Sequence, residues 1–550
     1  MKIKNIKIAN YRNLNGLEVH FHDSINFIVG ENNLGKSNFL HLLNVLFNGW
    51  KFNDDDFLDK GSAIEIIFTL KLDDAELGNF DEYIDPLNGK EITIKATQKC
   101  DDSLGFYHEA TDASIHPRLV RNINFVYYDS LRNPITDISF EKIRGASSFL
   151  NYMIKTKLTE KSLEEKDLIN YNNQDFKDLL NEVNTTLNKI KSFKENLVSA
   201  KLETEIQNLL TKLVLLKDNN GGGLAKMGYG VQFSMLISLS ILEKLVTIYE
   251  KKADKNICDY QEDGTNKKAI SLILGLDEPE IHLHPYMQRA LVKYLSSIIE
   301  NTDREFSEIV KEVFEIDKLN GQIMIVTHSP NILFTDYKQI IRFYNVNNQL
   351  NIKSGIQINM PENEKHFLKL FSKIKEAFFS RCVIVAEGDS EPACLSLFVK
   401  TMNIDFDELG ITVMDVGGKQ SINPVMSVLD SFGILNVGLR DLDNEVKKER
   451  ENLYFTDKRD FEEEIISILY LPDWKDLLLD ILRQHFVNED VPIQYRTPDD
   501  FKRKVRLQKK NFNEANSKYK HQHRNTDDIQ GDISMCDFDS FDDEKKEYSY

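Results

Sequence analysis

Gly30-Glu31-Asn32-Asn33-Leu34-Gly35-Lys36-Ser37 decides how the rest of this chain is read. It is a complete phosphate-binding loop, preceded by the apolar run Ile25–Val29 and followed by a helical pattern beginning at Asn38. In that setting glycines let backbone N–H groups close on phosphate oxygens. Lys36 reaches the β- and γ-phosphates, and Ser37 offers a hydroxyl to Mg²⁺ at a helix N-terminus whose dipole favours anions. Asn32, Asn33, Gly35, Lys36, Ser37 and Asn38 are therefore the candidate contacts for a nucleoside triphosphate, with ATP and Mg²⁺ the expected ligands.

Two further strand ends belong with it. Leu272–Leu276 is an apolar strand closed by Asp277-Glu278, where Asp277 can hold the Mg²⁺ and Glu278 can polarise an attacking water. The strand Gln322–Val326 leads into Thr327-His328-Ser329-Pro330, which puts His328 within reach of a γ-phosphate. Continuous apolar strands of this kind are those of a buried parallel sheet, expected to be one with the N-terminal half. Lys2–Ala9, Leu17–Phe21, Ile64–Lys71, Glu91–Thr97 and Ile123–Tyr128 read as further strands.

A third block carries carboxylates on strand ends. Cys382–Ala386 runs into Glu387-Gly388, with Glu391 one helical turn on, and Val437–Arg440 runs into Asp441-Leu442-Asp443. Acids gathered at the ends of adjacent parallel strands repel one another, and divalent cations relieve that repulsion. Four carboxylates suit two ions, one to activate water and one to stabilise the leaving oxygen of a phosphodiester.

Between these blocks, Ser148–Leu216 is rich in Lys, Glu, Leu and Asn and almost without Gly or Pro. It reads as a helical insertion, either packed on its own domain or serving as a dimerisation arm. Residues 501–520 hold eight Lys or Arg against the single acid Glu514, and the last thirty residues hold nine acids against three bases. The basic run reads as a solvated helix or a phosphate-contacting one, and the acidic tail as disordered.

The set Asn10-Tyr11-Arg12-Asn13-Leu14, the phosphate loop, Gly228-Tyr229-Gly230-Val231-Gln232, Asp277–Pro285 and His328 resembles an ABC-type ATPase of the SMC, RecF and OLD (overcoming lysogenization defect) kind. The resemblance implies that Gly228, Gly230 and Gln232 form the signature motif that closes on nucleotide held by a second copy, hence a homodimer or higher homo-oligomer. No serine precedes Gly228 here. The third block resembles a Toprim domain, which implies metal ligation by Glu387, Glu391, Asp441 and Asp443, with Glu462 a further acidic candidate and Lys509 or Lys510 the basic residue of the nuclease site.

The fold class expected is α/β, an ABC-type ATPase with an insertion followed by a Toprim domain. Its segments are 1–147 and 221–345 for the two ATPase lobes, 148–220 for the insertion, 346–378 for a connector, 379–520 for the Toprim domain and 521–550 for the tail. The function implied is ATP-gated, metal-dependent DNA cleavage with Mg²⁺ or Mn²⁺, plausible in anti-phage defence. The alternatives are a DNA-binding scaffold of the RecF or SMC kind, and a nucleotide-sensing effector held inactive by a regulatory protein or nucleic-acid partner.

Bulk properties are those of an ordinary soluble globular protein. A net charge of −19 argues against nucleic acid coating the whole surface, leaving DNA to be held by local phosphate contacts. No apolar stretch is long enough for a membrane span and no export signal opens the chain, so a cytoplasmic protein is expected. The cysteines, Cys100, Cys258, Cys382, Cys394 and Cys536, have no paired spacing that predicts a disulfide framework or zinc site.

Overall fold

A computed structural model describes residues 1–130, 147–160, 174–190, 196–200, 214–218, 229–250 and 257–469, except positions 75, 77–79, 85–88, 263, 282, 335, 361–363 and 443–449. The chain divides into two compact units, Met1–Leu439 with Glu451–Leu453, and Arg440–Arg450 with Tyr454–Tyr550.

In the first unit, β1 (Lys2–Ala9), β2 (Leu17–His20), β4 (Ile64–Lys71), β5 (Glu91–Gln98), β6 (Gly105–His108) and β7 (Ser114–Ile115) form an antiparallel sheet of order β2-β1-β4-β5-β6-β7. Its strands alternate buried and open positions, as in β5, because one face meets the core and the other water. The second sheet is built around β3 (Ile25–Gly30), buried at every residue. Parallel neighbours of β3 are β13 (Lys318–Val326) and β14 (Ile340–Val346), and β13 pairs in turn with β12 (Thr265–Asp277). The expected single sheet is thus present. β12 is longer than its apolar core predicts: Thr265–Ile270 pairs with the antiparallel β11 (Ile257–Glu262), and Leu272–Leu276 with the parallel β8 (Asn124–Tyr128). Antiparallel β15 (Gln349–Ser354) closes the far edge on β14.

The helix Lys36–Asn48 is the packing link between the sheets. Phe39, Leu40, Leu42, Leu43, Leu46 and Phe47 are all buried on it. Phe47 stands edge-on to Phe68 of β4 at 5.6 Å and lies 5.7 Å from Phe125 of β8, so one ring contacts both layers. At about 1.5–3 kcal/mol for each large apolar side chain buried, this face holds the phosphate loop rigidly at the end of β3.

The insertion is only partly helical. Helices Ser147–Glu160 and Gln174–Leu187 are followed by an antiparallel strand pair, β9 (Asn196–Ala200) and β10 (Val214–Asp218), which corrects the all-helical expectation. Tyr152 stacks on Phe314 at 5.8 Å, and Lys189 donates to Glu312 at 2.9 Å, so the insertion packs on the helix Arg304–Phe314 of the ATPase.

The third block contributes a parallel sheet of β17 (Ile411–Asp415), β16 (Cys382–Ala386) and β18 (Leu435–Arg440), with β16 in the centre. It is tied to β14 through Arg342. That guanidinium is 2% exposed and donates to the carbonyls of Phe378, Ser380, Phe432 and Gly433, satisfying the ends of two segments that pack beside β16. Since Arg342 pairs with Val29 of β3, the strand that feeds the phosphate loop is one residue step from this buried junction. In the second unit, the helix Phe461–Leu469 is the principal described element. No helix among the described residues is long and apolar enough to cross a membrane.

Candidate functional site

Gly30 and Gly35 set the loop's shape. At Gly30 φ is +135° and an added Cβ would lie 2.1 Å from the carbonyl oxygen of Phe343; at Gly35 φ is +89° and a Cβ would meet the Asn13 side chain. Side chains are excluded at both. The helix begins at Lys36, two residues earlier than its pattern predicts.

Lys36 is buried, and its Nζ donates to the carbonyls of Gly30 at 2.9 Å and Glu31 at 2.5 Å. Burial holds its ammonium down to about 8, opposed by Glu278, Asp277 and Glu31. Ser37 Oγ donates to Asp277 Oδ1 at 3.1 Å, so the hydroxyl and carboxylate expected to share a magnesium ion already face each other. The parallel register Asp277↔Val326 and Val326↔Ile28 sets the strand end that carries Asp277 level with the one that feeds the loop. Hard oxygen donors of this type suit Mg²⁺. Burial pushes Asp277 up to about 6, against the opposing hydrogen bond from Ser37.

Glu278 has a left-handed backbone, φ +48°, its N–H held by the carbonyl of Val326 at 2.9 Å. Such a conformation costs about 1–3 kcal/mol in a residue with a side chain and persists only where the surroundings enforce it. Its Oε1 lies 3.3 Å from His328 Nε2. The imidazole is held below its ordinary pKa, first by desolvation and then by Lys36. Sequence reasoning missed Glu280, although it stands in the same acidic run. Its buried Oε1 accepts from Thr327 Oγ1 and from the His328 N–H, both at 2.7 Å, and so fixes the backbone that presents the histidine. Burial raises the pKa of Glu280.

Asn38 accepts from Arg12 Nη1 at 2.6 Å and donates to Asn13 at 3.0 Å, while Asn13 donates to the carbonyl of Leu34. The early Arg12-Asn13 pair thereby braces the loop, with Arg12 anchored on the fully buried Asp56 at 2.7 Å. Asn32 and Asn33 are exposed at the loop's crest. A cavity of 1110 Å³ surrounds this group, lined by the loop, Arg12, Glu278 and His328 on one side and by Phe379, Arg381, Asp407 and Glu408 of the third block on the other. No pattern in the sequence announced that second wall.

Asp277 also sets a pH-dependent stability. In the unfolded chain its carboxyl ionises near the usual value of about 4, and in the folded chain near 6. Stability therefore falls as pH rises between these values, and the cost is complete above the upper one. Asp277→Asn is expected to stabilise the nucleotide-free protein at pH 7.5 by on the order of 2 kcal/mol, read from its denaturant unfolding curve. The gap between variant and wild type should close as pH falls toward 4. A gap that persists unchanged at the lower pH would exclude titration of Asp277 as its origin.

In the third block, Glu387 follows β16 directly, and its carbonyl accepts the N–H of Gly418 at 2.8 Å. Gly417 and Gly418 have φ of +70° and +126°, so the glycine turn after β17 fixes the backbone at Glu387. Glu391 is buried in the first turn of the helix Ser390–Thr401, its Oε2 accepting from the Gly388 N–H at 3.2 Å. Sequence reasoning also missed Asp415, paired across the sheet with Ala386 and held by Lys373.

In the second unit, Asp441 Oδ1 accepts the N–H of Phe461 at 2.9 Å, at the N-terminus of the helix that carries Glu462 in its first turn. Gly230 and Gln232 lie in the helix Tyr229–Glu250. Gly228, Asp443, Lys509 and Lys510 fall outside the described residues.

Comparison with known proteins agrees with both halves. Residues 1–115 and 90–333 match the AAA ATPase domain family, and residues 378–443 match the TOPRIM domain of overcoming lysogenization defect protein-like proteins. Among curated proteins, Endonuclease GajA of Bacillus cereus (strain VD045) is 24% identical over 496 residues, covering 82% of this chain and 77% of that protein. Endonuclease GajA of strain HuB5-5 is 23% identical over 531 residues, covering 76% and 73%. Among solved structures, an SMC head bound to the C-terminal winged-helix domain of ScpA aligns with a TM-score of 0.36 at 11% identity, covering 64% of this chain and 97% of that one.

Proposed function

This chain belongs to the AAA ATPase domain family and carries an OLD-like TOPRIM domain, and from that premise we propose that it is an OLD-type endonuclease whose nucleotide state gates metal-dependent DNA cleavage. The observation that carries this reading is the shared nucleotide cavity: residues of the ATPase and of the Toprim block wall it together.

On the ATPase side, the phosphate loop binds the triphosphate, with Lys36 exchanging its carbonyl partners for phosphate oxygens. Ser37 and Asp277 would hold Mg²⁺, Glu278 accepts the proton of the attacking water, and His328 contacts the γ-phosphate. On the Toprim side, Glu387, Glu391, Asp441 and Asp443 are the proposed metal ligands, with Glu462 as a further one. Supporting this, β16 and β18 are parallel neighbours with Ala386 opposite Leu439, and each is followed in sequence by its acids. Divalent ions at such carboxylates supply a water deprotonated near neutral pH and charge stabilisation at a departing oxygen. Lys509 and Lys510 are proposed as backbone-phosphate contacts or as the basic nuclease residue. Assembly as a homodimer or larger homo-oligomer, with Gly228, Gly230 and Gln232 facing a second copy's nucleotide, and a role in anti-phage defence belong to the same proposal.

Supercoiled plasmid incubated with Mg²⁺ or Mn²⁺, with and without ATP, is expected to become nicked or linear, and a chelator is expected to stop the conversion. The ATP dependence should disappear in Lys36→Ala. Intact plasmid under every condition, alongside undiminished ATP hydrolysis, would sink the nuclease reading and favour a DNA-binding scaffold.

A further inference from the structure

Arg381 joins the two halves of the nucleotide cavity through one side chain. Its backbone belongs to the Toprim sheet: it immediately precedes β16, and its N–H donates to the Gly410 carbonyl at 2.9 Å. Its stem packs on Gly410, where an added Cβ would lie 3.1 Å from Arg381 Cγ. Its head belongs to the phosphate loop, with Nε donating to Glu31 Oε2 at 2.7 Å.

Glu31 stands at one defined end of the loop. Its carbonyl and that of Gly30 take the two Lys36 hydrogen bonds, and a phosphate-loop lysine addresses the β- and γ-phosphates. Glu278 and His328, which attend the terminal phosphate, line the same cavity. A guanidinium anchored on Glu31 is therefore at the γ-phosphate end. The Arg381 side chain is 63% exposed, so its pair with Glu31 is the weakly held, solvent-screened type. A triphosphate brings more negative charge than one carboxylate, and its oxygens match the guanidinium fork in two-point fashion.

We propose that Arg381 is a γ-phosphate-binding residue supplied by the Toprim block within the same chain, released from Glu31 when ATP enters and not when ADP does. It rests on the reading of this cavity as an ATP site. Its consequence is directional: the residue that grips the terminal phosphate is covalently continuous with the strand that leads into Glu387, so the triphosphate state is transmitted to a proposed metal ligand through the five residues of β16.

Fluorescent ATP and ADP analogues titrated against the full chain test this directly, in wild type, Arg381→Ala, Arg381→Lys and Lys36→Ala. Arg381→Ala is expected to weaken ATP by about tenfold, the size of one lost charge-assisted hydrogen bond, and ADP by less than twofold. Arg381→Lys should recover part of the ATP affinity, since it keeps the charge and loses the fork. Equal losses for ATP and ADP, or no loss for ATP, would overturn the assignment while leaving the ATP site standing. Failure of the wild type to bind either nucleotide, or binding unaltered in Lys36→Ala, would overturn the site itself and the assignment with it.

Discussion

Glu278→Gln is expected to lower ATP turnover by about 10²- to 10⁴-fold, the usual worth of a positioned general base, while nucleotide binding stays intact. Glutamine matches glutamate in shape, so the left-handed backbone and its hydrogen bond to Val326 survive the change. The contact to His328 at 3.3 Å also survives as a neutral hydrogen bond. Only the capacity to accept a proton is lost. Phosphate release in a single turnover, measured beside equilibrium binding of an ATP analogue, separates the two effects. Turnover within fivefold of wild type would show that another group takes the proton, and Glu280, buried and engaged with Thr327 and the His328 backbone, would not be that group. The variant also holds ATP in place, so plasmid cleavage by it reports whether the triphosphate state licenses or restrains the nuclease.

What sequence made legible here was local. The phosphate loop, the acids after Leu276 and the strand before Thr327 each put their chemistry within a few residues of an apolar run, the parallel register sets those strand ends side by side, and Ser37 meets Asp277 there. The carboxylates after β16 were legible for the same reason. Contacts between distant segments were not: Arg381 meets Glu31 across 350 residues, and Arg342 binds carbonyls about ninety residues away, with nothing in the local pattern to mark either arginine. Glu280 was visible as a letter in the acidic run, but its role depends on the register of β13 against β12. The β9 and β10 hairpin failed for a different reason. Leu197-Val198 and Val214-Leu215-Leu216 are short apolar runs in a Lys- and Glu-rich stretch, where helical and extended periods cannot be told apart. The polar start of β12, Thr265–Lys268, was missed because its pairing with β11 rests on backbone hydrogen bonds rather than on an apolar face.

Glu387→Gln is expected to reduce DNA cleavage by about 10³-fold or more, equivalent to roughly 4 kcal/mol of lost transition-state stabilisation, with ATP hydrolysis left near wild type. The Glu387 carbonyl takes the Gly418 N–H, a backbone bond that the amide replacement leaves in place, and the unfolding midpoint of the variant is measured beside its activity. Glu391→Gln is expected to match it in activity, but Glu391 is 4% exposed and its carboxylate accepts the Gly388 N–H, so its unfolding midpoint must be measured beside its activity. Asp415→Asn is the informative comparison. Asp415 also ends a strand of this sheet, opposite Ala386, yet it is engaged by Lys373, which already neutralises it. A carboxylate neutralised by a lysine offers little to a cation, so its loss should cost cleavage less than tenfold. If Asp415→Asn proved as damaging as Glu387→Gln, the metal would sit between β16 and β17 rather than toward β18, and the ligand set would have to be redrawn around Lys373.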